Sequence, residues 1–346
     1  MPAGVGVIGA GPGAAALHLP TLARLSDRFA VVHISDAGSG RAEDLAAHFG
    51  ATASTGTDEL LADPRVEVVA ICSPPDAHAS QILAAVAAGK RAILCEKPLA
   101  LSHDDAARII DACRDAGVAL VVGTNHLFDP AWGRAQHHIA AAGAPVRAIS
   151  ITVALPPNGR YHDAVTEMPA TAGQARGVPD WSSPAVAAAV LRQLTLGLAI
   201  HDLPLVRDLA QRLDRVVFAR PVSPIGYVVG FIAGDVAVRL TAVMTPGGAD
   251  ALWRIGIATS RDLVDIEFPP AFVHDGSAAV HVRTPDGRRA SFPLSADDGY
   301  VAEWRALSSI LEGEEVVEYD EILADAGFAI ELADAVAAAV HARVTA

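Results

Sequence analysis

Two charged residues stand side by side in Cys95-Glu96-Lys97-Pro98, where the apolar run Ala92-Ile93-Leu94 reads as a buried strand coming to its end. Of the 26 basic residues in the chain, 24 are arginine and two, Lys90 and Lys97, are lysine. An ammonium is a compact donor whose pKa follows its surroundings, so it suits hydroxyl orientation or proton transfer in a way that a planar, always-charged guanidinium does not. A surface lysine at a strand end would have the same local sequence. His201 is the second candidate. It lies in the apolar segment Leu194 to Leu209, and a neutral imidazole there could take a hydroxyl proton near neutral pH or could simply be a packed core histidine.

Positioning such groups needs a scaffold, and residues 4 to 35 supply its beginning. A strand, Val5 to Ile8, runs into the glycine turn Gly9-Ala10-Gly11-Pro12-Gly13-Ala14, then a helix to about Leu25 and a second strand, Phe29 to Ile34. Gly9 permits the tight turn, Gly11 lets backbone amides approach a pyrophosphate, and Ala14 is small enough for the helix to pack on the strand. The second strand ends in Ser35-Asp36, at the distance where a carboxylate holds the ribose hydroxyls of a dinucleotide. An acid there repels a 2'-phosphate, which favours NAD, while Ser39 and Arg41 keep NADP open. Asp36 could also be a plain turn residue ahead of Gly38.

The alternation continues through helices at 41–48, 57–61, 78–88 and 103–116 and strands near Thr52 and at 66–72, 91–95 and 119–122. Strands separated by single helices predict a parallel sheet covered on both faces, with ligands at the carboxyl ends of the strands. That rim collects the glycine turn, Asp36, Ser73-Pro74-Pro75, Glu96-Lys97 and Thr124-Asn125-His126. Beyond about residue 124 the strands lengthen and are joined by Pro/Gly turns. They run at 146–155, 216–218, 226–233, 236–243, 253–259, 263–268, 278–284 and 289–292, with hairpin signals at Asp235 and at Pro285-Asp286-Gly287-Arg288. The expected fold class is α/β. A Rossmann doubly wound parallel sheet over 1–123 precedes an α/β domain over 124–346 with an open, mainly antiparallel sheet. Helices over about 194–213 and 300–311 are expected on one face of that sheet, and the open face is expected to form a homodimer or homotetramer. Residues 156–183, rich in Pro, Gly and Ala, read as a long functional loop, and the alanine-rich 322–344 as a packing helix.

Composition narrows the classes. A net charge of −14 argues against nucleic acid as a partner and permits a cationic substrate. The apolar stretches are too short to suggest a membrane span, and Met1-Pro2-Ala3 runs straight into the first strand without a leader pattern. Cys72, Cys95 and Cys113 form no CxxC pair, which fits a reduced cytoplasm and no structural metal.

The order of these features is similar to that of the Gfo/Idh/MocA oxidoreductases, the glucose–fructose oxidoreductase and inositol dehydrogenase family. It runs from the glycine turn and Asp36 through Ser73-Pro74 followed by His78, Glu96-Lys97-Pro98-Leu99-Ala100 and Gly123-Thr124-Asn125-His126-Leu127-Phe128-Asp129-Pro130 to Gly197-Leu198-Ala199-Ile200-His201-Asp202-Leu203. The spacing of Ser73-Pro74 to Glu96-Lys97-Pro98 is its most specific part. The resemblance implies bound NAD or NADP and hydride transfer to or from a sugar, cyclitol or related alcohol. It implies a cofactor set of Gly9, Gly11, Pro12, Gly13, Ala14, Asp36, Ser73, Pro74, His78, Glu96 and Lys97. Glu96 would contact the nicotinamide ribose, Lys97 the reacting oxygen, and His201 would be the acid/base.

Three positions depart from the family pattern. Gly197 stands where an aspartate often lies one helical turn before the histidine, Pro204 stands where another often follows it, and Leu127 replaces a common arginine. Asp202 adjoins His201, and neighbours do not share a helical face. Pro204 either kinks the segment or sits in the first turn of a helix capped by Asp202, leaving His201 on the loop entering it. His126, Asp129, Tyr161, Trp181 and Arg192 are the candidate contacts for a polyhydroxylated small molecule, with His162, Asp163 and Gln193 beside them. The surplus of acid is compatible with an amino sugar or aminoglycoside intermediate. Two other readings stay open: a dinucleotide-binding regulatory protein without turnover, and NAD-dependent elimination or glycoside cleavage through a transient ketone.

Overall fold

A computed structural model describes residues 1–156, 178–245, 250–270 and 273–344. The chain divides into two compact units. Met1–Thr124 and Tyr300–Gly327 belong to the first; the described residues of 125–299 and 328–344 belong to the second.

The first unit is built on six parallel strands: β1 (Ala3–Ile8), β2 (Phe29–Asp36), β3 (Thr52–Thr55), β4 (Val68–Ile71), β5 (Ala92–Glu96) and β6 (Ala119–Gly123), in the order β3-β2-β1-β4-β5-β6. The order reverses beside β1, and such a switch point opens a crevice at the carboxyl ends of the strands. Strands β4 and β5 are almost continuously apolar because helices cover both faces of the sheet, so there is no polar side to alternate toward. Helix Pro75–Ala87 begins three residues before the expected His78, with a proline in its first turn, where the missing N–H would have no intrahelical partner anyway.

Helix Gly299–Glu312 corrects an expectation. Its sequence position predicts cover for the antiparallel sheet, yet it packs in the first unit, where Trp304 meets Phe29 edge-on at 5.1 Å and Arg28 bonds Ser308 and Glu312. The apolar stripe of a helix marks it as a packing element but does not say which sheet receives it. Lys90, the second lysine, is structural. Its ammonium donates to the carbonyls of Asp63 at 3.1 Å and Val66 at 2.8 Å.

The second unit carries eight strands: β7 (Val146–Leu155), β8 (Leu213–Pro221), β9 (Ile225–Ala233), β10 (Val236–Met244), β11 (Leu252–Thr259), β12 (Leu263–Phe268), β13 (Ala279–Arg283) and β14 (Arg289–Ser291). Their order is β14-β13-β12-β11-β7-β10-β9-β8, antiparallel except for the β7–β10 pair. Ile149, Ile151, Val153 and Leu155 of β7 point into one core with Val238 and Leu240 of β10 and the buried faces of the helices, while Ala148, Ser150, Thr152 and Ala154 form the opposite, partly exposed row. The helix expected over 194–213 is three elements: helix Pro184–Gly197, a 3₁₀ turn Ala199–His201 and helix Leu203–Leu209, with Leu213 opening β8. Pro204 accounts for the break, since it can occupy only the first turn of the helix that follows.

Contrary to the composition reading, one stretch among the described residues, Pro184–His201, is long and apolar enough to cross a membrane by length and composition. Its Ala187, Leu191 and Leu196 are buried in the core of the second unit.

Asp63 fastens the edge of the first unit's sheet. Its carboxylate accepts from the Arg65 guanidinium at 2.6 Å and 3.0 Å and pairs with His33 Nδ1 at 3.0 Å. These bonds, led by Arg65, hold its pKa well below the usual carboxylate range. A carboxyl group lowered on folding stabilises the protein fully above its unfolded pKa and loses that contribution as the pH falls. Asp63→Ala should therefore cost about 1–2 kcal/mol at neutral pH. Urea unfolding should show that cost shrinking as the pH drops below about 4.

Candidate functional site

The rim of the first unit begins at the glycine turn. Gly9 has φ 101°, and a Cβ there would lie 2.7 Å from the Cys72 carbonyl carbon, so the ends of β1 and β4 approach more closely than any side chain allows. At Gly11 and Gly13 an added Cβ would meet nothing within 4 Å, while Ala14 is fully buried against the sheet. Bare backbone above the loop and a packed residue beneath it fit a pyrophosphate at the start of a helix. The helix opens as a π turn, Ala14–His18, just ahead of Pro20, whose ring and missing N–H disfavour a regular α turn.

His18 closes that turn and is 1% exposed. Its Nε2 lies 2.8 Å from Glu96 Oε1, and Trp304 Nε1 donates to its Nδ1 at 3.2 Å. Burial opposes charge on His18 while Cys72 and Glu96 favour it, with a net upward shift. An indole N–H can only donate, however, so Nδ1 holds a lone pair and the bonded form is the neutral Nε2–H tautomer. Glu96 thus accepts from His18 on one oxygen and from the Lys97 backbone N–H on the other, at 3.2 Å. Lys97 itself is half-buried. Burial lowers its pKa and the Glu96 charge partly restores it, which is the setting in which an ammonium can exchange a proton. His78, fully buried, sets one ring nitrogen 2.9 Å from the Pro98 carbonyl and the other 2.9 Å from the Ser73 carbonyl. It ties Ser73-Pro74 to the chain just after Lys97.

Asp36 is engaged by its own turn. Oδ1 accepts from Gly38 N at 2.7 Å and Ser39 N at 3.1 Å; Oδ2 accepts from the Ser39 hydroxyl and from Ala42 N at 3.2 Å. Burial raises its pKa, these bonds lower it, and the net direction is down, so Asp36 is a fixed negative charge at the end of β2. Four accepted bonds fill its lone pairs, and a ribose hydroxyl would have to displace one of them.

In the second unit, Asn125 and His126 form the start of the short helix Asn125–Phe128. Asp202 has no exposed surface. Its carboxylate accepts from Trp253 Nε1 at 2.9 and 3.0 Å and pairs with His126 Nδ1 at 2.8 Å. It occupies the cap position of helix Leu203–Leu209 without a side-chain capping bond, and Pro204 falls in that helix's first turn. The His126 ring stacks on Phe268 at 3.7 Å. His201, at the end of the 3₁₀ turn and half-buried, lies edge-on to Trp253 at 5.2 Å, and its Nδ1 is 2.7 Å from Asn125 Oδ1. Gly197 is exposed, and an added Cβ there would meet nothing within 4 Å.

The substrate candidates are held by the fold itself. Asp129 caps helix Pro130–Ala142 through Ala131 N at 2.8 Å and also accepts from Ala278 N, and burial raises its pKa. Trp181 donates to the Pro224 carbonyl at 3.1 Å, Arg192 pairs with Asp334 at 2.7 Å, and His126 is paired with Asp202. Tyr161, with His162 and Asp163, lies outside the described residues, as does most of the expected loop. The sequence reading passed over His18, Trp304 and the role of Asn125. The position of His18, four residues past Ala14 on the helix that the glycine turn opens, is a usable signal, whereas nothing in the sequence points to Trp304. Among the described residues, no group of three or more His, Cys, Asp or Glu is arranged to hold a metal ion.

Residues 3–124 match the family model described as "Oxidoreductase family, NAD-binding Rossmann fold". Over these residues the chain is similar to the Gfo/Idh/MocA oxidoreductases. It is similar to a 1,5-anhydro-D-fructose reductase from Ensifer adhaerens, at 43% identity over 100 residues, 29% of each chain. It is also similar to a myo-inositol 2-dehydrogenase from Thermotoga maritima, at 34% identity over 126 residues, 36% of this chain and 37% of the relative. The chain thus aligns with only about a third of these relatives' length. Both units together share the fold of a 3-ketoreductase from Actinomadura kijaniata solved with NADP and TDP-benzene. That likeness has a TM-score of 0.74 and 22% identity and covers 98% of each chain.

Removing the Asp202 carboxylate would leave two buried donors, His126 and Trp253, without an acceptor. Asp202→Ala should cost about 3 kcal/mol or more in denaturant unfolding. Asp202→Asn should cost less, since its amide oxygen can still accept.

Proposed function

We propose that this chain is an NAD-dependent oxidoreductase that moves a hydride between the nicotinamide and a secondary alcohol or ketone of a sugar, cyclitol or glycoside. The observation that carries the reading is the Rossmann rim itself. It combines a glycine turn with open backbone, a Glu96 fixed by His18, and beside it a half-buried lysine of lowered pKa. The matched relatives are named for a sugar-derived ketone and a cyclitol, which supports that substrate class.

When bound, the dinucleotide supplies the hydride acceptor for oxidation and the donor for reduction. In the oxidative direction the carbinol carbon gives up its hydrogen with the bonding pair, and the carbon–oxygen bond becomes a carbonyl. The hydroxyl proton must leave at the same centre. His201 takes it on Nε2, the nitrogen left with a lone pair when Nδ1 donates to Asn125. The Lys97 ammonium stabilises the negative charge developing on oxygen. Glu96 does not transfer a proton in this scheme. It holds the Lys97 backbone and presents carboxylate oxygens for hydroxyl groups of the bound cofactor.

NAD is the proposed cofactor rather than NADP because Asp36 remains ionised at the end of β2, where a 2'-phosphate would meet like charge. The proposed assembly is a homo-oligomer through the partly exposed face of the eight-stranded sheet. There Ala148, Ser150, Thr152 and Ala154 of β7 and Gly256 and Ala258 of β11 are small enough for close approach of a second copy. A single sedimenting species at monomer mass, independent of concentration, would refute that part.

Lys97→Ala and His201→Ala should each lower kcat for an accepted alcohol by about 10²–10⁴-fold, with dinucleotide Kd changed only a few-fold. A variant that keeps full turnover removes its residue from the mechanism. Direct titration should give tighter binding of NAD than of NADP, and the reverse order would show that Asp36 does not exclude the 2'-phosphate.

A further inference from the structure

Two consecutive residues of helix Asn125–Phe128 pair, in the same order, with two consecutive residues at the turn that ends in His201. Asn125 Oδ1 meets His201 Nδ1 at 2.7 Å, and His126 Nδ1 meets Asp202 Oδ1 at 2.8 Å. The second rung is a buried clamp, reinforced by Trp253 on the same carboxylate and by Phe268 under the His126 ring. It fixes the backbone on both sides, so the first rung is set by its neighbours and not by the long reach of a flexible side chain. Gly299 adds a further limit. A Cβ there would lie 2.0 Å from the Asn125 carbonyl oxygen, so the chain at Asn125 is backed directly by main chain.

An amide oxygen has lone pairs and no proton. His201 Nδ1 must therefore be the donor in this bond, and the ring's basic lone pair then lies on Nε2. The orienting group is neutral. The carboxylate of Asp202, adjacent in sequence, is taken up by His126 and Trp253, and the His126 ring centroid stands 5.5 Å from that of His201.

We propose that Asn125 is the positioning residue of His201: its amide oxygen holds the imidazole in the Nδ1–H tautomer and so directs Nε2 to accept the substrate's hydroxyl proton. The proposal rests on the reading of His201 as the acid/base. The proton passes from the substrate oxygen to Nε2, giving an imidazolium that keeps its Nδ1–H bond to Asn125. It then leaves Nε2 for solvent, and no proton reaches the amide.

The test uses full-length protein labelled with ¹⁵N-histidine. Long-range nitrogen–proton correlation spectra would be compared, with the His201 signals identified by their loss in His201→Gln. The unsubstituted protein should show a protonated Nδ1 and an unprotonated Nε2. Asn125→Leu should move His201 toward the Nε2–H form, and Asn125→Asp, which again offers an acceptor oxygen, should restore the Nδ1–H form. For an alcohol whose oxidation His201→Gln abolishes, Asn125→Leu should lower kcat by about 10²-fold, the lower end of what a general base contributes. Asn125→Asp should recover most of it, and dinucleotide Kd should stay unchanged throughout. An Nε2–H tautomer in the unsubstituted protein overturns the proposal without any variant. So does a tautomer that Asn125→Leu leaves untouched, or one that it shifts with no effect on kcat. If no alcohol is oxidised, the enzyme reading falls, while the spectra still decide whether Asn125 sets the tautomer.

Discussion

A carboxylate with no exposed surface, Asp202, organises the second unit's candidate chemistry. A charge in such a place is tolerated only when hydrogen bonds replace its water, and here two side-chain donors do so, Trp253 from β11 and His126 from the short helix Asn125–Phe128. Removing any member leaves another buried polar group unmatched. The 3₁₀ turn, the start of helix Leu203–Leu209 and the Asn125-His126 pair are therefore locked to one another, and His201 takes its place from that lock.

The first unit uses the same device. Glu96 is held by a buried histidine, His18, which is itself fixed by the Trp304 indole. In both units a histidine-bound carboxylate sits next in sequence to the candidate reactive residue: Glu96 beside Lys97, Asp202 beside His201. Anchoring the neighbour constrains the backbone from which the reactive side chain projects and leaves that side chain able to exchange protons. Such a group needs both a fixed origin and a changeable charge, and one residue tied into a buried pair would not provide the second.

Much of this was legible in the sequence because it follows from local rules. Alternating single strands and helices gave the parallel sheet, and Asp235 marks the hairpin that joins β9 to β10 with Ala233 facing Val236. The glycine turn and Glu96-Lys97 were visible because their residue types are unusual at strand ends. What the sequence did not reveal depends on contacts far apart in the chain. Trp304 lies 286 positions from His18, and helix Gly299–Glu312 has an apolar stripe that would suit either sheet. Asp36 was read for its spacing from the glycines. Its four bonds to its own turn are a local feature, and the plain reading as a turn residue describes them equally well. Asp129 and His126 are candidate substrate contacts by residue type and position, but their burial follows from partners at Ala278 and Asp202 that spacing cannot disclose.

Hydride transfer from a carbinol carbon is the step on which the proposed function rests. Purified protein would be incubated with NAD and a panel of sugars and cyclitols carrying deuterium on each secondary carbinol carbon in turn, and the recovered nicotinamide analysed by mass spectrometry and proton NMR. Deuterium from one carbon of an accepted substrate should appear at C4 of the reduced nicotinamide, and Lys97→Ala should suppress the transfer. Tight binding of NAD with all deuterium retained on carbon across the panel would contradict the proposed function.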